Sequence, residues 1–168
     1  MKKLLYFLFS IVTISTIIGC GAYSFSGGST GNAETIQIDF FPNQAPLVEP
    51  TLSQNFTQTL QDLFTRQTNL TLVNSNGDLH FEGEITGYRI TPMSATAQQT
   101  AAQNRLTITV NVRYTNKEKE KDNFEKQFSF YYDFPADQQL IGGTLETALE
   151  EILERITQDI FNASVANW

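Results

Sequence analysis

Arg105-Leu106-Thr107-Ile108-Thr109-Val110-Asn111-Val112-Arg113-Tyr114 alternates apolar and polar residues without a break. Side chains on a β-strand project to opposite faces in turn, so this period of two predicts a strand with one dry face and one wet face. Leu106, Ile108, Val110, Val112 and Tyr114 fall on the dry side. Arg105, Thr107, Thr109, Asn111 and Arg113 fall on the wet side. Phe124, Phe128, Phe130, Tyr132 and Phe134 repeat the rule after residues 116–123, whose alternating Lys and Glu suit an exposed hairpin tip. Upstream, Leu79, Phe81 and Ile85 oppose His80, Glu82, Glu84 and Thr86, and then Tyr88 and Ile90 appear in the opposite phase. An extra residue near Gly83 to Gly87 restores the apolar face, which predicts a β-bulge there. Three antiparallel strands in a meander follow from these segments.

The flanking segments change period. Leu52, Phe56, Leu60, Leu63 and Phe64 recur at three- and four-residue spacing, which predicts a helix from Pro50 to about Thr68. Leu145, Leu149, Ile152, Leu153, Ile156, Ile160 and Phe161 form a second helical stripe behind Gly142-Gly143-Thr144, with Glu146, Glu150 and Glu151 suiting the positive end of its dipole. Ile36, Ile38 and Phe40 alternate along residues 35–41 as a first strand, and a minor strand over residues 70–73 precedes an Asn76-Gly77 turn. The expected fold is α+β: a two-layer sandwich with two amphipathic helices on one face of a four- to five-stranded, mostly antiparallel sheet. The opposite sheet face is expected to be polar.

Composition narrows the function. The 168 residues carry 18 acidic and 11 basic side chains, a net charge of -7, which repels a phosphate backbone and disfavours nucleic acid as a partner. One cysteine, Cys20, and one histidine, His80, are too few for a structural zinc site or a Cys/His nucleophilic pair. His80 and Glu82 share a strand face at a spacing that could present two metal ligands, but a metal needs more ligands than two, so a solvated polar face is the expectation. The sequence has no nucleophile elbow and no phosphate-binding glycine loop. Catalysis is not expected. Arg105 and Arg113 on the wet face are the candidate contacts for a phosphate-bearing lipid or a partner, set against ordinary strand cations balanced by Glu82 or Glu125.

Residues 1–19 read as an address. Lys2 and Lys3 precede an apolar run of about fifteen residues, the pattern of a signal peptide and short of the roughly twenty needed to span a bilayer. The run ends in Ile17-Ile18-Gly19-Cys20, which resembles the bacterial lipobox. That resemblance implies diacylglycerol on the Cys20 thiol and an N-acyl chain on its amine, with no other cofactor. Residues 20–33, rich in Gly and Ser, are expected to tether this anchor to a single domain over residues 34–168. With no acidic run after Cys20, the periplasmic face of the outer membrane is favoured over surface export, with inner-membrane retention as the alternative.

Several stretches together resemble the LptE-like lipopolysaccharide-assembly lipoproteins, in the branch found in Bacteroidetes-type bacteria. They are Gly19-Cys20-Gly21 with Tyr23-Ser24-Phe25, Phe40-Phe41-Pro42-Asn43, Pro50-Thr51-Leu52-Ser53, Gly83-Glu84-Ile85-Thr86-Gly87-Tyr88, Asn104-Arg105-Leu106-Thr107-Ile108-Thr109-Val110 and Asn167-Trp168. The resemblance implies a non-enzymatic subunit that sits inside, and helps assemble, the LptD β-barrel through which lipopolysaccharide reaches the outer leaflet. It also implies lipopolysaccharide contact through basic residues, here Arg105 and Arg113. The rival reading is a periplasm-facing carrier that holds an acyl chain or glycan in a cavity between helices and sheet.

Overall fold

The computed structural model describes residues 30–47, 49–93 and 102–166. Cys20, the lipobox, most of the tether, residues 94–101 and Trp168 lie outside the described residues. The element order is β1 (Thr35–Ile38), α1 (Leu52–Gln67), β2 (Thr71–Val73), β3 (Leu79–Met93), β4 (Gln103–Asn116), β5 (Phe124–Pro135) and α2 (Gly142–Ser164). The strands form one mixed, open sheet in the order β2-β1-β3-β4-β5, and both helices cover the same face. This is the expected α+β sandwich.

β4 is the central element of the core. Leu106, Ile108, Val110 and Val112 are fully buried and Tyr114 nearly so. Burial pushes the Tyr114 phenol up to about 12, against the opposing effect of its hydrogen bond from Asn116. β3 and β5 pair with β4 antiparallel on either side, so the meander has the expected geometry. The register of β3 shifts between Ile85 and Gly87, leaving Thr86 as the extra residue. Before the shift Leu79, Phe81 and Ile85 face the core, and after it Tyr88 and Ile90 stand opposite Ile108 and Leu106. Tyr88 is half-buried, but Ile90 is 41% exposed, because among the described residues β3 has no strand partner on its other side beyond the bulge.

The first strand departs from its expected length. Alternation carried it to Phe41 with Phe40 inward, but β1 ends at Ile38, Phe40 is 61% exposed and Phe41 is fully buried. The cause lies at Gly83. This residue takes a core-facing position on β3 with no side chain, and the Phe41 ring fills the space, 5.0 Å from the Phe56 ring in an edge-on contact. A Cβ on Gly83 would overlap the Asn111 carbonyl oxygen and stand 2.7 Å from Cε1 of Phe41. Thr57 of α1 accepts the Phe41 backbone N–H at 3.2 Å, which fixes the ring against the helix.

The Asn76-Gly77 turn closes a crossover instead of a hairpin. β2 and β3 both run parallel to β1 on opposite sides of it, so residues 74–78 pass from one side to the other. Parallel connections normally need about a dozen residues. Here the register sets Val73 beside Gln37 and Leu79 beside Ile36, so the loop steps back only about one residue, roughly 3 Å, while crossing β1, and five residues suffice. Gly77 allows the passage, since a Cβ there would lie 2.6 Å from the Gln37 backbone nitrogen, and Asn76 supplies the left-handed turn at φ 60°. Asp78 then holds the start of β1: its Oδ2 accepts the Thr35 hydroxyl at 2.6 Å and the Thr35 and Glu34 N–H groups at 3.0 and 3.1 Å. These hydrogen bonds hold its carboxyl below the usual aspartate value.

α1 buries Leu52, Phe56, Leu60, Leu63 and Phe64, and α2 buries Leu149, Ile152, Leu153, Ile156, Ile160 and Phe161, as their periodicity requires. Pro50 falls just before the cap residue Thr51, outside the first turn. The first turn of α2 carries no acid, since the helix begins at Gly142 and Glu146 follows that turn.

Gly83→Ala is expected to cost about 2–3 kcal/mol in urea unfolding through the clash with Asn111 and Phe41. Gly143→Ala, whose Cβ meets nothing within 4 Å, is expected to be neutral or stabilising by up to about 1 kcal/mol. Asp78→Ala is expected to lower the Tm at pH 7. A carboxyl whose folded pKa is depressed stabilises above its unfolded pKa and loses that effect as pH falls through the folded one. The gap between parent and variant is therefore expected to close on acidification; a gap independent of pH would refute this role.

Candidate functional site

The sheet face away from the helices is the candidate site. Its side chains come from Gln37 and Asp39 near β1, the even residues of β3 before the bulge and the odd ones after it, and the odd residues of β4 and β5. The bulge keeps the wet face wet. Without it, Tyr88 and Ile90 would face outward and Arg89 and Thr91 inward.

Several charges on this face are paired across strands. At the lower end His80 Nε2 meets Asp39 Oδ2 at 2.9 Å. Burial of Asp39 opposes ionisation, but hydrogen bonds from Gln37 and His80 outweigh it and hold the carboxyl below its usual value. In the middle, Arg113 bridges two acids, with Nε 3.0 Å from Glu82 Oε1 and Nη1 3.2 Å from Glu84 Oε2. Asn111 donates to Glu84 at 3.0 Å and to Glu125 at 3.1 Å. The Asn111 bond is the largest reason that Glu84 is held below the usual glutamate value; partial burial opposes it and Arg113 assists. Farther along, Thr109 and Ser129 pair through their hydroxyls at 3.0 Å. At the upper end Arg105 makes a fork on Asp133, Nε–Oδ1 2.7 Å and Nη2–Oδ2 2.8 Å, while its guanidinium lies 3.5 Å from the Tyr131 ring centroid.

Alternation thus places Arg105 and Arg113 correctly on the uncovered face. The structure does not bring them together. Eight residues along one strand separate them by roughly 27 Å, so they cannot clamp one phosphate between them. Each also has a carboxylate partner already, and the hydrogen bonds that Arg105 donates to Asp133, and Arg113 to Glu82 and Glu84, raise their respective pKa values. Glu82 is the partner expected for Arg113; Glu125 instead takes Asn111. Asp133, Tyr131 and Glu84 escaped the sequence reading. Only the cross-strand register, which sets Arg105 opposite Asp133, discloses them.

The His80 and Glu82 pair gains a third potential ligand in Asp39, with the three ligand atoms within 4.8 Å of one another. The histidine is engaged by Asp39 and Glu82 by Arg113, and their side chains remain 28 to 46% exposed. Their geometry is that of a satisfied surface network.

The opposite layer offers open grooves. One of about 410 Å³ runs between the helices, with Leu145, Leu149 and Leu153 beside Glu49, Glu146 and Glu150. Another of about 330 Å³ lies between α2 and the outer strand, over Phe130. The space between helices and sheet is filled by Phe41, Phe56, Phe64, Phe81, Tyr114 and Phe161. Among the described residues no helix is long and apolar enough to cross a membrane.

Comparison with known proteins accords with this fold. The chain resembles a minor lipoprotein from Acinetobacter baumannii (TM-score 0.51, 11% identity, 77% of this chain and 91% of that one). It also resembles an uncharacterized lipoprotein B from Nitrosomonas europaea (TM-score 0.51, 12% identity, 84% and 88%). A hypothetical protein from Chlamydia trachomatis shares the fold as well (TM-score 0.54, 9% identity, 80% and 99%). No curated protein matches the chain. The profile of the LptE family, described as lipopolysaccharide-assembly, matches residues 33–164, which takes in every strand and both helices. The chain therefore belongs to the LptE lipopolysaccharide-assembly family.

Proposed function

We propose that this chain is the outer-membrane lipoprotein that seats within an LptD-type β-barrel and helps assemble it. Family membership carries the coarser statement, a role in lipopolysaccharide assembly at the outer membrane within a non-enzymatic family of lipoproteins. The finer reading rests on the uncovered sheet face. That face is wet along three long strands and two of its arginines are paired with its own carboxylates, so it suits the polar lumen of a large barrel. Cys20, lipidated with diacylglycerol and an N-acyl chain, would hold the domain at the periplasmic face of the membrane, since two or more chains anchor stably.

A carrier would need a chamber between helices and sheet. The rings that fill that space count against the carrier reading.

Arg105 and Arg113 are the proposed contacts for lipopolysaccharide or the barrel wall. A phosphate must displace Asp133 from Arg105, or Glu82 and Glu84 from Arg113, so each contact exchanges one charge-assisted bond for another. Arg105→Ala with Arg113→Ala is expected to weaken lipopolysaccharide binding on the order of tenfold. Unchanged affinity would remove both residues from that role.

The membrane reading is tested by purification from gently solubilised outer membrane with mass spectrometry. A barrel of the LptD kind is expected in near-stoichiometric amount with the parent and in much reduced amount with Cys20→Ala. Recovery of the parent as a lone lipoprotein would sink the proposal.

A further inference from the structure

The seam between the two helices is apolar along its floor and open along its length. The groove of about 410 Å³ starts at Thr51 and Gly142 and has Leu145, Leu149 and Leu153 beneath it. A second opening of about 340 Å³ shares Thr59 and Glu150 with the first and continues to Asp62, Arg66 and Glu154. Together they make one channel down both helices, roughly 20 Å long at about 1.5 Å per residue. Its mouth is apolar as well. Leu47 and Ile141 neighbour the lining residues Glu49 and Gly142 in sequence, and at 56% and 64% exposure they are among the most exposed large apolar side chains of the described residues. Apolar side chains left to water at the open end of such a seam mark a surface that a partner covers.

Charge identifies the occupant. α1 and α2 carry six carboxylates against Arg66 and Arg155. Arg155 is engaged by Asp159 at 3.5 Å, and no ion pair among the described residues includes Glu146, Glu150 or Glu154. A second copy docking through its own helices would set these carboxylates against their like, and an anionic lipid surface would be repelled in the same way. A cationic partner is attracted. Glu146, Glu150 and Glu154 succeed one another at four-residue intervals, about 6 Å apart along one side of the seam. Lys or Arg residues on one flank of an α-helix recur at the same interval. Arg66, the one base among the described lining residues, stands at the far end, so the cationic flank registers toward the mouth.

We propose that the seam between α1 and α2 receives an amphipathic helix of another protein, whose apolar stripe lies over Leu145 and the mouth and whose Lys or Arg flank pairs with Glu146, Glu150 and Glu154. A helix laid into an apolar groove, with charge on its rim to fix register, is a common mode of peptide recognition. The groove supplies the buried area and the carboxylates select the partner by sign. The sheet face proposed for the barrel belongs to the other layer, so the two contacts do not compete for the same surface.

The test compares two variants of the full lipoprotein. Glu146→Gln with Glu150→Gln and Glu154→Gln neutralises the seam, and all three side chains are exposed, so the fold is expected to be retained. Glu120→Gln with Asp122→Asn and Asp137→Asn removes the same net charge away from the helices. The probe is a helical peptide of about 18 residues built of Leu and Lys with one apolar face. Its Kd, read by fluorescence anisotropy, is expected to rise about tenfold with the seam variant and to stay within about twofold with the second. Equal weakening by both variants, or by neither, overturns the proposal. In cells, a benzoylphenylalanine crosslinker at Asn55, which lines the seam, is expected to capture a segment rich in Lys or Arg and to lose it in the seam variant. Capture of a second copy, capture of an acidic segment, or no capture overturns it. Recovery of the barrel with the parent protein is scored separately, and its failure leaves the peptide and crosslinking results standing.

Discussion

The structure depends on one dry face of one strand. Leu106, Ile108, Val110, Val112 and Tyr114 are withdrawn from water along β4, and full burial of such side chains stabilises by about 1.5–3 kcal/mol each, as an upper estimate. The exposed ion pairs on the other face add little, since water screens them and long side chains lose rotamer freedom in forming them. The apolar face therefore decides the architecture. Both helices must cover it, and both strands beside β4 must keep its phase.

Phase is also what makes the irregularities necessary. A bulge at Thr86 restores the apolar side of β3 after one slip, and Gly83 opens a hole that only a ring from outside the strand can fill. Phe41 fills it, which ends β1 early and turns Phe40 to solvent. The tight passage over Gln37 at Gly77 is possible because β1 and β2 are short. Each departure from regular geometry thus preserves the same core.

The wet face results from the same alternation and carries the proposed function. Its arginines are not free. Arg105 is forked onto Asp133 and stacked on Tyr131, and Arg113 is divided between two glutamates. Such a face can be brought against a polar wall without desolvating either of these arginines unpaired, since each already has its carboxylate. Family membership supplies the process, lipopolysaccharide assembly, and the sheet supplies the surface.

Local periodicity determined the two helices, the three long strands and the bulge, because each is written in side chains adjacent along the chain. It also determined that Arg105 and Arg113 share the uncovered face. Tertiary structure alone decided the parallel placement of β1 between β2 and β3, which depends on chain path and not on pattern. It decided the exchange of Phe40 for Phe41, since the space at Gly83 belongs to a strand forty residues away. It decided, finally, that the two arginines act apart and each with its own acid. Strand register is a relation between segments, and no single segment's sequence encodes which carboxylate will stand across from a given guanidinium.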